Sequence, residues 1–240
     1  MSRVLKGCLF LLSLSAIQAG AVSTATITKP LGIPADDSTV AYDVNARGQV
    51  AAVVEYENGR RRAVLFEKGE VVNMGTLGGD YSEARAINRS GQVAGAAQGA
   101  DGRWRAFIYD QSGGMRDIGT LGGPGSFGTA INDSGHVAGY ADNFDGDYRA
   151  FLYTGSAMTD LGTLGGKISY AAGVNNVGQV VGTSALSSNY RRAFIWDASR
   201  GMVDLGTLGG RSSSATAIND AGVVVGASET SDRRWRAFLH

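Results

Sequence analysis

Short β-branched runs flank a polar turn at regular places along the chain. Ala217-Ile218 precedes Asn219 to Gly222, and Val223-Val224-Val225 follows it. The same Asn-x-x-Gly column falls at Asn45-Gly48, Asn88-Gly91, Asn132-Gly135 and Asn175-Gly178. Asparagine opening a turn, with glycine three residues on, fits a type I turn closed by a left-handed residue. Each column therefore predicts two strands joined as a hairpin.

Beyond each hairpin comes Arg-Ala-Phe, led by Arg105, Arg149, Arg192 and Arg236, with Arg62-Ala63-Val64 as the variant. Two residues after each Phe or Val stands another ring, Phe66, Tyr109, Tyr153, Trp196 or, at the chain end, His240. Alternation at period two predicts a third strand with one large apolar face. Met-x-Asp-[Leu/Ile]-Gly-Thr-Leu, as in Met115 to Leu121, predicts the fourth. Folding strands three and four as a hairpin sets Arg105 opposite Asp117, Arg149 opposite Asp160 and Arg192 opposite Asp204, with Phe107 opposite Met115. An ion pair repeated within each unit outweighs a ring of guanidinium groups for anionic ligands, because each Arg travels with its acid.

Gly-Thr-Leu-Gly-Gly starts at Gly75, Gly119, Gly162 and Gly206, so the unit repeats every 43 or 44 residues. Four short strands per unit of about 44 residues is the pattern of a β-propeller blade. The fold class expected is all-β, a five-bladed β-propeller of four-stranded antiparallel blades. Its repeats run at about 41–80, 81–124, 125–167, 168–211 and 212–240. The last unit lacks its fourth strand, and Leu31-Gly32-Ile33-Pro34 lies as far before Asn45 as Leu205 to Leu208 lies before Asn219. The segment 26–40, with Thr26 to Pro34 as the strand, is expected to close the ring by pairing with the C-terminal blade.

Residues 1–25 stand outside the repeat. Arg3 and Lys6 precede the apolar run Cys8 to Ile17 and a small-residue tail, the order of a signal peptide. The apolar run is too short for a bilayer-spanning helix, so export is expected without a transmembrane segment, to the periplasm or the extracellular space. Residues 26–240 then form a single β-propeller domain. Cys8 is the only cysteine, so a mature chain has no thiol for disulfides, nucleophilic attack or metal binding. Lys plus Arg and Asp plus Glu number 22 each, which recruits no nucleic acid by bulk charge.

The columns [Ala/Gly]-[Ile/Val]-Asn-x-x-Gly-x-Val-x-Gly, Arg-Ala-Phe and Asp-Leu-Gly-Thr-Leu-Gly-Gly together resemble the HAF family of bacterial extracellular repeats. The likeness covers roughly residues 31 to 240, with Arg in place of the first His of the name-giving triplet. It implies export and repetition, and supplies no activity or site residues.

Chemistry is sparse. His136 and His240 are the only histidines, without metal-ligand spacing, and no cofactor motif occurs. Asp142, Asp145 and Asp147 form a weak calcium candidate that lacks the distal glutamate of an EF-hand. Ser82, Ser126, Ser169 and Ser213 fill one column, which marks structure rather than a unique nucleophile. Glycosidase chemistry needs two carboxylates about 5 to 9.5 Å apart, and Asp43 and Glu83 on first strands are available. Variation between copies concentrates on the side opposite the Asn turns, in Tyr81, Trp104, Phe127, Tyr148, Tyr170, Tyr190 and Trp235, with Tyr56 and Phe144. Rings near polar loops suit sugar or protein recognition, and equally cap the blades' apolar layers. The reading adopted is a secreted, non-catalytic, monomeric scaffold binding a glycan or cell-surface protein. A carbohydrate-active enzyme with carboxylates in the central channel is the alternative.

Overall fold

The computed structural model describes residues 37–240. The expected leader at 1–25, with Cys8, and the closing strand at Thr26 to Pro34 lie outside the described residues. Five antiparallel sheets follow one another along the chain, each ordered from inner to outer strand as in the sequence. Sheet 1 holds β1 (Ser38–Val44), β2 (Val50–Glu55), β3 (Arg61–Glu67) and β4 (Glu70–Asn73). Sheet 2 holds β5 (Gly78–Ile87), β6 (Val93–Gly99), β7 (Trp104–Asp110) and β8 (Gly114–Asp117). Sheet 3 holds β9 (Gly122–Ile131), β10 (Val137–Asn143), β11 (Tyr148–Tyr153) and β12 (Met158–Asp160). Sheet 4 holds β13 (Gly165–Val174), β14 (Val180–Leu186), β15 (Arg191–Asp197) and β16 (Gly201–Asp204). Sheet 5 has three strands, β17 (Gly209–Ile218), β18 (Val224–Thr230) and β19 (Trp235–Leu239). No helix among these residues is long and apolar enough to cross a membrane.

The inner strands β1, β5, β9, β13 and β17 pack each on the next, and turns from all five repeats line one central opening. That is the radial arrangement of a β-propeller. The Asn-x-x-Gly columns make the expected turns. In each, the glycine N–H donates to the Asn carbonyl at 2.9–3.1 Å, and the glycine φ is positive, from +74° at Gly48 to +91° at Gly91.

In sheets 1 to 4 the third strands depart from the one-faced expectation, with both faces buried, whereas β19 is largely exposed. Phe107 packs towards sheet 1 with Ala63 and Leu65, whereas Ala106 and Ile108 meet Val137 and Phe151 of sheet 3. Each Phe thus enters the hollow left by the preceding sheet's Ala, and Phe107, Phe151 and Phe194 are fully buried. Burying such a ring contributes about 1.5–3 kcal/mol. The strand beneath must give way. A Cβ on Gly95 would collide with the Glu83 carbonyl and the Phe107 ring, and Gly139, Gly182 and Gly226 are hemmed in alike. Where the ring shrinks to Val64, its partner across the strands is Ala52 instead of glycine.

Gly-Thr-Leu-Gly-Gly also differs from expectation. It is the crossing between sheets rather than an outer strand: its last two glycines open β5, β9, β13 and β17, and its Leu bridges to the following sheet, as Leu77 does to Gly99. The threonine closes the bend, with the Thr76 hydroxyl donating to the Gly79 carbonyl at 2.9 Å. The serine column fastens this crossing. Ser126 Oγ accepts the Ala106 N–H at 2.8 Å and donates to the Gly119 carbonyl at 2.5 Å, tying sheet 3 to sheet 2. Ser82, Ser169 and Ser213 repeat both bonds, and all four serines are buried.

Candidate functional site

One end of the molecule is a ladder of asparagines. Asn45 Nδ2 donates to the Asn88 carbonyl at 3.0 Å, Asn88 to Asn132 at 3.0 Å, Asn132 to Asn175 at 2.9 Å and Asn175 to Asn219 at 3.0 Å. Each Oδ1 also closes its own turn, as Asn132 does for His136 N–H at 2.9 Å. The ladder ends at Asn219, and among the described residues no hydrogen bond carries it on to Asn45. A second tier runs outside it, with Asp133 accepting from Arg89 N–H at 3.0 Å and Asp220 from Asn176 N–H at 2.8 Å. The backbone N–H of Asn176 holds the Asp220 carboxyl below the usual aspartate range. The polar groups lining this opening are already engaged with one another.

The expected Arg–Asp register is two residues out. Asp117 lies opposite Phe107, Asp160 opposite Phe151 and Asp204 opposite Phe194. The turn between strands three and four is centred further along the chain than that register needs. In sheets 2 and 4 an aspartate closes it, Asp110 Oδ1 accepting Ser112 N–H at 3.1 Å and Gly113 N–H at 2.7 Å, whereas sheet 3 makes the same register without one. The acids serve the crossing instead, with Asp117 accepting Gly119 N–H at 2.7 Å and Asp160 and Asp204 doing the same for Gly162 and Gly206. Arg105 and Arg149 keep only marginal ion pairs with these acids, at 4.0 and 3.9 Å. Their main partners are carbonyls of the next sheet's first strand: Arg62 donates to Asp80, Arg105 to Pro124 and Arg149 to Lys167.

At the opposite end the aromatic residues meet. Tyr81 and Trp104 have ring centroids 6.5 Å apart, Trp104 and Phe127 5.9 Å, and Phe127 and Tyr140 5.0 Å in a stack. Tyr140 continues edge-on to Tyr148 at 5.6 Å and to Tyr170 at 5.1 Å. Five of the seven expected rings thus form one tract across sheets 2, 3 and 4, all within the favourable range for aromatic pairs. None is fully buried. Tyr140 was not foreseen. It joins the tract because β9 and β10 pair it with Phe127, whereas its counterparts are Val53, Ala96, Thr183 and Ala227. Burial pushes the Tyr140 and Tyr170 phenols up, so both stay protonated and able to donate at neutral pH.

The tract arises from one repeated position at each junction between sheets. The residue before Arg-Ala-[Phe/Val] meets the residue after the serine column of the next sheet. At the first junction these are Arg61 and Glu83, an ion pair at 3.3 Å. At the second they are Trp104 and Phe127, and at the third Tyr148 and Tyr170, 5.8 Å apart. At the fourth the corresponding residues are Arg191 and Ser214.

Other expected residues stay apart from this tract. Tyr190 contacts Arg211, which lies over its ring at 5.2 Å and donates to its hydroxyl at 2.6 Å. Trp235 is exposed at the start of β19 and joins no ring pair among the described residues. Asp142, Asp145 and Asp147 sit around a hairpin turn closed by Asn143 Oδ1, which accepts Asp145 and Asp147 N–H at 3.0 and 2.9 Å. No three potential ligands converge on a metal-sized site among the described residues. The two carboxylates considered for glycosidase chemistry are committed elsewhere: Asp43 accepts Ile87 N–H at 2.9 Å, and Glu83 pairs with Arg61 and Arg85.

No protein-family model matches the chain, nor does any curated protein. Solved structures do. TolB from Acinetobacter baumannii is similar at 15% identity and a TM-score of 0.54, over 85% of this chain and 54% of TolB. A puromycin-hydrolyzing peptidase from Mycobacterium tuberculosis is similar at 12% identity and a TM-score of 0.59, over 87% of this chain and 36% of the peptidase. The chain spans about half the length of the first and about a third of the second. At these identities what is shared is the fold.

Proposed function

We propose that this protein is an exported, non-catalytic β-propeller of the HAF-repeat type that binds a glycan through its aromatic end. The observation that carries the reading is the unbroken tract of six rings from Tyr81 to Tyr170, partly open to solvent. Ring faces beside half-buried phenol donors suit the apolar faces and hydroxyl rims of sugars. At the opposite end most of the polar groups lining the opening are engaged with one another.

In this reading the propeller has five blades, and Thr26 to Pro34 supplies the fourth strand of sheet 5. Among the described residues β19 pairs on one side only, which supports that closure, as does the apolar hollow beside Leu205, Phe238 and Leu239.

A broad glycan array probed with the folded protein tests the function. Binding to at least one glycan, lost in Trp104→Ala and Tyr148→Ala, is expected. Failure to bind any glycan while the protein is verified as folded refutes it. Deleting residues 26–34 is expected to lower the melting temperature if the ring closes as proposed.

A further inference from the structure

Arginine at the junction position has opposite surroundings in its two occurrences. Arg61, at the first junction, is neutralised: its guanidinium reaches Glu55 at 3.0 Å and Glu83 at 3.3 Å. Arg191, at the fourth, has Ser214 where the repeat placed Glu83. Among the described residues no carboxylate lies within the 4.0 Å ion-pair range of Arg191, Arg192 or Arg211. Of the acids around them, Asp204 accepts Gly206 N–H at 2.7 Å and Glu229 accepts Arg211 N–H at 2.8 Å, while Asp142 acts on the Tyr170 phenol. Arg192 differs from its counterparts too, since its Nε is buried without a hydrogen-bond partner.

These cations adjoin the aromatic tract. Arg191 lies over the Tyr170 ring at 5.7 Å, and Arg211 holds Tyr190, the residue beside Arg191. Arg191, Arg211 and Tyr190 are exposed. Guanidinium groups that make no ion pair among the described residues, next to a ring platform, favour an oxyanion that takes paired, charge-assisted hydrogen bonds. We infer that the fourth junction is an anion subsite, and that the ligand of the tract is an acidic glycan whose carboxylate or sulfate sits at Arg191 and Arg211 while its sugar rings run along Tyr170 and Tyr148.

This inference rests on the proposed glycan-binding function, and one titration series separates the two. The full-length chain is titrated calorimetrically with a short oligogalacturonate, its fully methyl-esterified form, a chondroitin sulfate oligosaccharide and a neutral cello-oligosaccharide. The acidic sugar is expected to bind at least about tenfold more tightly than its ester, and the advantage to shrink with added salt. Arg191→Ala with Arg211→Ala removes that advantage, so that acid and ester bind the variant with equal affinity. Preference for the chondroitin sulfate over the galacturonate probe, lost in the same variant, also supports the inference. Equal affinity for acid, ester and neutral sugars overturns the inference and leaves glycan binding standing. Equal competition by polyglutamate also overturns it, because the subsite then serves any polyanion. Binding of no sugar at all overturns both.

Discussion

The two ends of this propeller are built from the same five repeats and treat them in opposite ways. At the asparagine end every copy closes its own turn with the same side chain, and the first four also reach the next sheet's carbonyl. At the ring end one position is filled successively by Arg61, Trp104, Tyr148, Arg191 and Trp235. A buried amide with fixed partners tolerates little substitution, because an orphaned donor or acceptor costs about 1–3 kcal/mol. A partly exposed position at the mouth of a junction carries no such penalty. Uniformity at one end marks where the fold is held, and divergence at the other marks where the proposed ligand would be met.

The largest effect is expected from the uniform end. Asn132 is 4% exposed and makes hydrogen bonds with Asn175, His136 and Ser134. Asn132→Ala should lower the unfolding free energy measured in urea by about 2–3 kcal/mol, without changing glycan affinity in the folded protein. A loss under about 0.5 kcal/mol breaks the contrast, because the ladder is then redundant.

Trp104→Ala is the converse. Glycan affinity should fall at least tenfold, about 1.4 kcal/mol, while the melting temperature moves only a few degrees. A larger drop in stability with affinity retained assigns the tract to packing instead.

A smaller effect tests the ladder by repair. Gln49, Gln92 and Gln179 each accept from the Asn of their turn at 2.7–2.8 Å, but sheet 3 has His136 there, with a buried, unpartnered Nδ1. His136→Gln should raise stability by about 1 kcal/mol in the same assay.

The pH response should be the mildest near neutrality. Asp101, Asp110 and Asp197 are held below the ordinary aspartate range, chiefly by the Arg103 N–H and the Ser112 and Ser199 hydroxyls respectively. Their folded pKa values are depressed, so their contribution is complete above the unfolded range near pH 4 and is lost as pH falls through the folded values. Melting temperature should stay level from about pH 7 to 5 and decline below about pH 4. A decline beginning near pH 6 contradicts this, since no depressed carboxyl titrates there.

Features set by local chemistry were legible. The Asn-x-x-Gly turns, the serine column as structure and the side of the disc carrying the rings all follow from residue type and spacing. So does the exchange of Gly95 and Phe107 for Ala52 and Val64, although its meaning needed the packing. The Arg–Asp register was not legible, because it depends on where the turn between strands three and four is centred, and residues of different kinds make that turn in sheets 2 and 3. Tyr140 gave no signal either: no column marks it, and only cross-strand pairing with Phe127 makes it the centre of the tract.

By itself the sequence determined the repeat, its strands and turns and the radial packing they imply, because those depend on periodicity and on backbone preferences of neighbouring residues. Tertiary structure alone decided which rings touch, which arginines lose their acids and which carboxylates are tied to backbone. Those outcomes depend on distances between residues well separated in the sequence, such as Trp104 and Phe127 or Arg61 and Glu83, set by the register of one sheet against the next.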